Sequence, residues 1–153
     1  MGVSTVEPVR LAERQASRER GRRAVAADLA RARAALDEAA DLTTAAERYL
    51  ATQAAALRVA AVVLAVPARP APGARPRNAW RLLAEVAPEL AEWAAFYAAT
   101  EHRRDALRGG ATGLVSAREA DDLLRDTEEF LALVEHAVAP PGPAAHRPRR
   151  GTT

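Results

Sequence analysis

An all-α, up-and-down bundle of four to five helices is the fold class this chain predicts, and three observations predict it. Alanine, the best intrinsic helix former, fills 40 of the 153 positions. Apolar residues recur at steps of three and four in separate segments of the chain. Strand formers never cluster in alternation. The length suits one domain with a core of its own.

At the start of the chain, residues 1–21 are dense in charge and read as a flexible or helical N-terminal extension. Glu19 and Arg23, one turn apart, support a helix there only weakly. From about Arg22 to Ala40, Val25, Leu29, Ala32 and Leu36 form one narrow apolar stripe. The next helix is expected over about Thr43–Val66, opened by the capping box Thr44-Ala-Ala-Glu47. Tyr49, Leu50, Gln53, Leu57, Ala61 and Leu64 then keep helical spacing. Its last turns, VAAVVLAV, are apolar all round and are expected in the bundle centre.

Pro67 stops that helix, and the linker PARPAPGARPR, with four prolines, cannot continue it. Asn78 is a good N-cap for the third segment. Trp80, Leu83, Ala87, Leu90, Ala94 and Tyr97 step along one face. Pro88 lies inside this pattern and divides it into a short helix, 79–86, and a longer one to about Leu107. Gly109-Gly110 and Gly113 end the segment. Ser116-Ala-Arg-Glu119 is a second capping box, opening a last helix whose seam is Ala120, Leu124, Thr127, Leu131, Val134 and Val138. Residues 22–139 thus form the expected bundle. Residues 140–153, with four prolines and no periodicity, read as a disordered Pro/Arg tail.

Composition narrows function mostly by exclusion. Without cysteine there are no disulfides, thiolate nucleophiles or thiolate metal sites. The longest apolar run, Val59–Val66, falls far short of the roughly 20 residues of a membrane span. No secretory signal is visible, and the expected location is cytoplasmic, with no membrane partner. All 22 basic side chains are arginine. Residues 28–139 carry 13 Arg against 17 acids, net −4, whereas 1–27 and 140–153 are each net +3. An acidic body with basic ends is a poor match to a nucleic-acid domain with a basic face.

Candidate chemistry is sparse. His102, His136 and His146 read as solvated, no two are spaced for a shared metal, and no HExxH occurs. Asp122, Asp126 and Glu129 share one side of the last helix but lack a Glu-x-x-His partner, so they read as a solvated acidic face. No phosphate loop exists, and the chain has no lysine to complete one. No cofactor and no metal are expected. Arg69, Arg75, Arg77 and Arg81 form the candidate anion- or partner-binding group, beside an expected helix N-terminus. Trp80, Trp93, Phe96 and Tyr97, four of the six aromatic residues, are read as core and interface.

The run RPRNAWRLLAEVAPELAEWAAFYA, preceded by AERYLATQAAALRVAAVVLAVPARPAPG and followed by VSAREADDLLRDTEEFLALVE, resembles a small actinobacterial group within the HEPN superfamily. The resemblance covers about Ala24 to Val138. It implies a compact bundle, often dimeric in the superfamily. Many HEPN domains are metal-independent ribonucleases marked by an arginine, four to six residues, then a histidine. No arginine stands at those positions before His102, His136 or His146. The resemblance therefore implies a non-catalytic domain that acts by binding a protein partner, itself or a nucleic-acid complex. Two alternatives stand beside it: a ribonuclease or nucleotide-acting toxin-type enzyme with an atypical site, and a nucleic-acid accessory protein using its arginine-rich ends.

Overall fold

The structure, a computed structural model, describes residues 6–65, 76–111 and 113–139, and the side chains of 76–78 stand outside that description. Among the described residues five α-helices make the bundle: α1 (Val6–Ala40), α2 (Ala45–Ala65), α3 (Pro76–Val86), α4 (Ala91–Arg108) and α5 (Ala117–Val138). A single 3₁₀ turn, Pro88–Leu90, joins α3 to α4. No strand occurs among the described residues. The expected tail, 140–153, lies outside them.

Helix α2 is the central element and touches all four others. Its composition allows this. Ala55, Ala56, Val59 and Ala60 are fully buried, and such small side chains let neighbouring helices approach closely. Among the described residues α2 is also the one helix long and apolar enough to cross a membrane. Half of that apolar window is buried inside the bundle, as a core helix requires. Its last turns are not buried all round, contrary to expectation. Val59, Val62 and Leu64 face inward while Ala61 and Ala65 are exposed, because no described helix covers that side.

The helix ends are set by local chemistry. Thr44 and Glu47 cap α2 reciprocally, the Glu47 N–H donating to Thr44 Oγ1 at 3.1 Å and the Thr44 N–H to Glu47 Oε2 at 3.4 Å. Ser116 and Glu119 do the same for α5 at 3.1 and 2.8 Å. Helix α4 closes with the Gly110 N–H on the Leu107 carbonyl and the Ala111 N–H on the Ala106 carbonyl, both 3.1 Å. This double closure needs a left-handed residue, and Gly110 supplies it at φ 87°. Helix α3 starts at Pro76, so Asn78 lies within it rather than capping it. Proline is suited to a helix's first position, since its missing N–H and fixed φ cost nothing there. At the next proline, Ala87 is extended (φ −129°, ψ 79°), as a residue before proline prefers, and the chain turns into α4.

All six residues of the α3–α4 pattern, Trp80, Leu83, Ala87, Leu90, Ala94 and Tyr97, are buried. Around them the rings interlock. Trp80 stacks on Tyr97 with centroids 4.6 Å apart, and Trp93 stacks on Phe130 at 5.4 Å. Phe130 also meets Tyr97 at 5.3 Å, so one ring of α5 joins α3 and α4. The seam of α5 is wider than its three-four count suggests, because Leu123 and Phe130 are buried beside Thr127, Leu131 and Val134. Tyr97 donates its hydroxyl to Thr127 Oγ1 at 2.9 Å, and Thr127 donates onward to the Leu123 carbonyl at 2.8 Å. A polar chain thus crosses the core with its donors satisfied.

Candidate functional site

Helices α4 and α5 meet through the ring cluster at one level and through Arg103 and Glu119 at another. There they leave an open groove of about 330 Å³, lined by Tyr49, Phe96, Ala99, Thr100, Arg103, Glu119, Asp122, Leu123 and Asp126. A second cavity, beside Gln53, Trp80 and Glu101, is about 10 Å³, room for about one water, and admits no substrate.

The helix ends and the ring cluster build this groove. Glu119 is fixed as the third residue of the α5 cap. One carboxylate oxygen accepts the Ser116 N–H at 2.8 Å, and the other accepts Arg103 Nη1 at 2.7 Å. The cap therefore ties α5 to α4. The Ser116 N–H, and then Arg103, hold the Glu119 carboxyl below the usual range. Arg48 adds a second tie: Nη1 donates to the carbonyls of Leu42 and Thr43, at 3.1 and 3.0 Å, while Nε lies 3.2 Å from Asp121.

Inside this frame the groove is chemically mixed. Phe96, 38% exposed, and Leu123 give it apolar ground. Tyr49 is a buried hydroxyl pushed up in pKa by burial, against the opposing pull of Arg103. Burial also pushes up the Asp126 carboxyl, while the Arg125 charge opposes the shift. Asp122 is held by Arg125 at 2.6 Å and lies 4.0 Å from Arg118. Asp122 and Asp126 thus belong to a charge network with arginines. Among the described residues no group of three or more carboxylates and histidines is arranged for a metal ion.

The arginine group read from the sequence is elsewhere. Arg69 and Arg75 lie outside the described residues, as does the Arg77 side chain. Arg81 is 85% exposed and pairs with Glu85 one turn along at 3.6 Å, a solvated pair of the kind worth under about 0.5 kcal/mol. It does not line the groove. His102 on α4 and His136 at the end of α5 are both exposed and also lie outside the groove lining. Of the four aromatics read as core and interface, Trp80 and Tyr97 are core, Trp93 is half-buried, and Phe96 opens on the groove. Sequence reading missed Tyr49, Thr100, Arg103 and Glu119 as one site. Only the Ser116–Glu119 cap pointed to it, and a cap does not say what its glutamate will bind next.

No curated protein matches this chain, and no solved structure does. Residues 39–135 match the family model HEPN_SAV_6107, a HEPN-like family. That span runs from the end of α1 through nearly all of α5 and contains every groove residue. The all-helical bundle agrees with it, and the chain belongs to the HEPN_SAV_6107 family of the HEPN superfamily.

Proposed function

We propose that this chain is a non-catalytic, cytoplasmic HEPN-like domain that works by binding a protein partner, a second copy of itself included, through the α4–α5 groove. The groove itself carries the reading. It pairs an exposed aromatic ring and a leucine with a charged and hydroxyl-bearing rim, the composition of a protein interface rather than of an enclosing ligand pocket. Phe96 is the anchor, since large aromatic side chains dominate interface energetics. Arg103 and Glu119 are already paired, so they set the shape of the rim. The spacing of arginines and histidines along the chain supports the absence of ribonuclease activity.

Sedimentation equilibrium of the full chain tests this reading. The wild type is expected to self-associate, and Phe96→Glu to weaken association by about tenfold or more, equivalent to about 1.4 kcal/mol. Because Phe96 is partly exposed, circular dichroism should show the variant folded. RNA cleavage by the purified protein, lost on His102→Ala or His136→Ala, would overturn the non-catalytic reading.

A further inference from the structure

Helix α1 outruns the bundle. Every residue from 6 to 24 is exposed, and burial begins only at Val25. Arg33 of α1 pairs with Glu135 of α5, three residues before α5 ends at Val138. The helix therefore continues well past the end of α5 as an arm of about 28 Å. The arm lies outside the residues that match the family.

Its surface is organised. Arg10, Arg14, Arg18 and Arg22 succeed one another at steps of four. On a helix this makes a ridge that drifts slowly across one side, with guanidinium groups about 6 Å apart over about 18 Å. Glu7 shares that side one turn before Arg10, and Glu13 and Glu19 flank it beside Arg10 and Arg22, so the middle of the ridge, Arg14 and Arg18, is free of acids. Among the described residues Arg10, Arg14 and Arg18 have no acidic partner, while Arg22 has only a loose pair with Glu19 at 3.8 Å. In the bundle Arg31, Arg33, Arg48, Arg103 and Arg125 each hold a carboxylate; among the described residues Arg58, Arg104 and Arg108 do not, but they form no row of four. On α5, Glu119, Asp121, Asp122 and Glu135 already hold the chain's own arginines, which leaves Asp126, Glu128 and Glu129, a cluster too short to match a ridge of about 18 Å. A rigid, evenly spaced row of unpaired guanidinium groups instead complements a rigid, evenly spaced row of phosphates.

We propose that the Arg10–Arg14–Arg18–Arg22 ridge grips the phosphate backbone of a nucleic-acid duplex, without reading its sequence. The arm holds the polyanion clear of the acidic body, which would repel it.

Fluorescence anisotropy with a mixed-sequence DNA duplex of about 20 base pairs and the full chain tests this across salt. Four phosphate contacts give a slope of log K against log salt near −3.6, so binding weakens roughly 150-fold between about 50 and 200 mM salt. Arg14→Gln with Arg18→Gln should flatten the slope by about 1.8. Arg20→Gln with Arg23→Gln removes the same charge from the other side of the arm and should leave the slope unchanged. Glutamine keeps the helix propensity, so far-UV circular dichroism should not move. Equal losses from the two pairs would overturn the proposal, as would no binding by the wild type. It also fails if Arg147→Gln, Arg149→Gln and Arg150→Gln together abolish binding, or if single-stranded RNA or anionic phosphatidylglycerol vesicles bind more tightly than the duplex. A lower sedimentation mass for the ridge variant would assign the arm to a second copy and overturn it too.

Discussion

Phe130 sits where α3, α4 and α5 meet, fully buried, with Trp80, Trp93 and Tyr97 around it. Its removal leaves three rings facing a cavity that rigid neighbours cannot refill. Phe130→Ala is therefore expected to cost about 3–5 kcal/mol in urea unfolding. Phe96 touches two of the same rings but is partly in solvent, so Phe96→Ala should cost about 1 kcal/mol or less. Equal costs would mean that the cluster is not centred on Phe130. The sequence pointed to Phe96 and not to Phe130, and the reason is physical. Phe96 lies among other aromatics, while Phe130 stands in an acidic helix, one residue off the Thr127–Leu131–Val134 count. Burial on a bundle helix covers a stripe wider than a single three-four seam, and a ring at its edge becomes core only when a facing helix brings other rings to it.

At the scale of elements, the chain's punctuation was the most readable part. Both capping boxes form, the glycine pair closes α4, and Pro88 separates α3 from α4. These signals act within a few residues, so they survive without tertiary context. The start of α3 shifted because two local signals compete there, and Pro76 offers an earlier start than Asn78. The groove was not legible, since it depends on how α2, α4 and α5 come together, with α5 tied to α4 through Arg103 and Glu119. The arm of α1 permits a direct test of helix propensity. Gly21 lies near its base, exposed; a methyl group added at its Cα would meet nothing within 4 Å, and no positive φ favours glycine there. Gly21→Ala should stabilise the arm locally by about 1 kcal/mol. Hydrogen exchange of amides around residue 21 should slow about fivefold, with global unfolding nearly unchanged. Faster or unaltered exchange there would show that the arm's helix is not limited by this glycine.

For the molecule as a whole, composition and burial combine to make the alkaline limit of stability unusually simple. The chain has no lysine and no cysteine, and its arginines do not titrate below the strongly alkaline range. Above pH 9 the side chains left to lose protons are Tyr49 and Tyr97, and both are buried. Burial raises both pKa values in the folded protein, for Tyr97 despite its hydrogen bond with Thr127. In the unfolded chain each tyrosine ionises near about 10. Below that pH both states are protonated, and the stabilising contribution is complete. Above it the unfolded state holds fewer protons, so stability falls as pH rises toward the folded values, by up to about 1.4 kcal/mol per pH unit for each tyrosine. Tyr97→Phe separates this effect from the hydrogen bond. At pH 7 the variant should be less stable by about 1 kcal/mol, the net worth of the lost bond. By about pH 11.5 the wild type has lost roughly 2 kcal/mol through Tyr97 and the variant has not, so the two stability curves should cross between about pH 10 and 11.5. Parallel curves from guanidinium chloride titrations across that range would show that Tyr97 ionises in the folded bundle as freely as in the unfolded chain, and that the Tyr97–Thr127 chain is open to water.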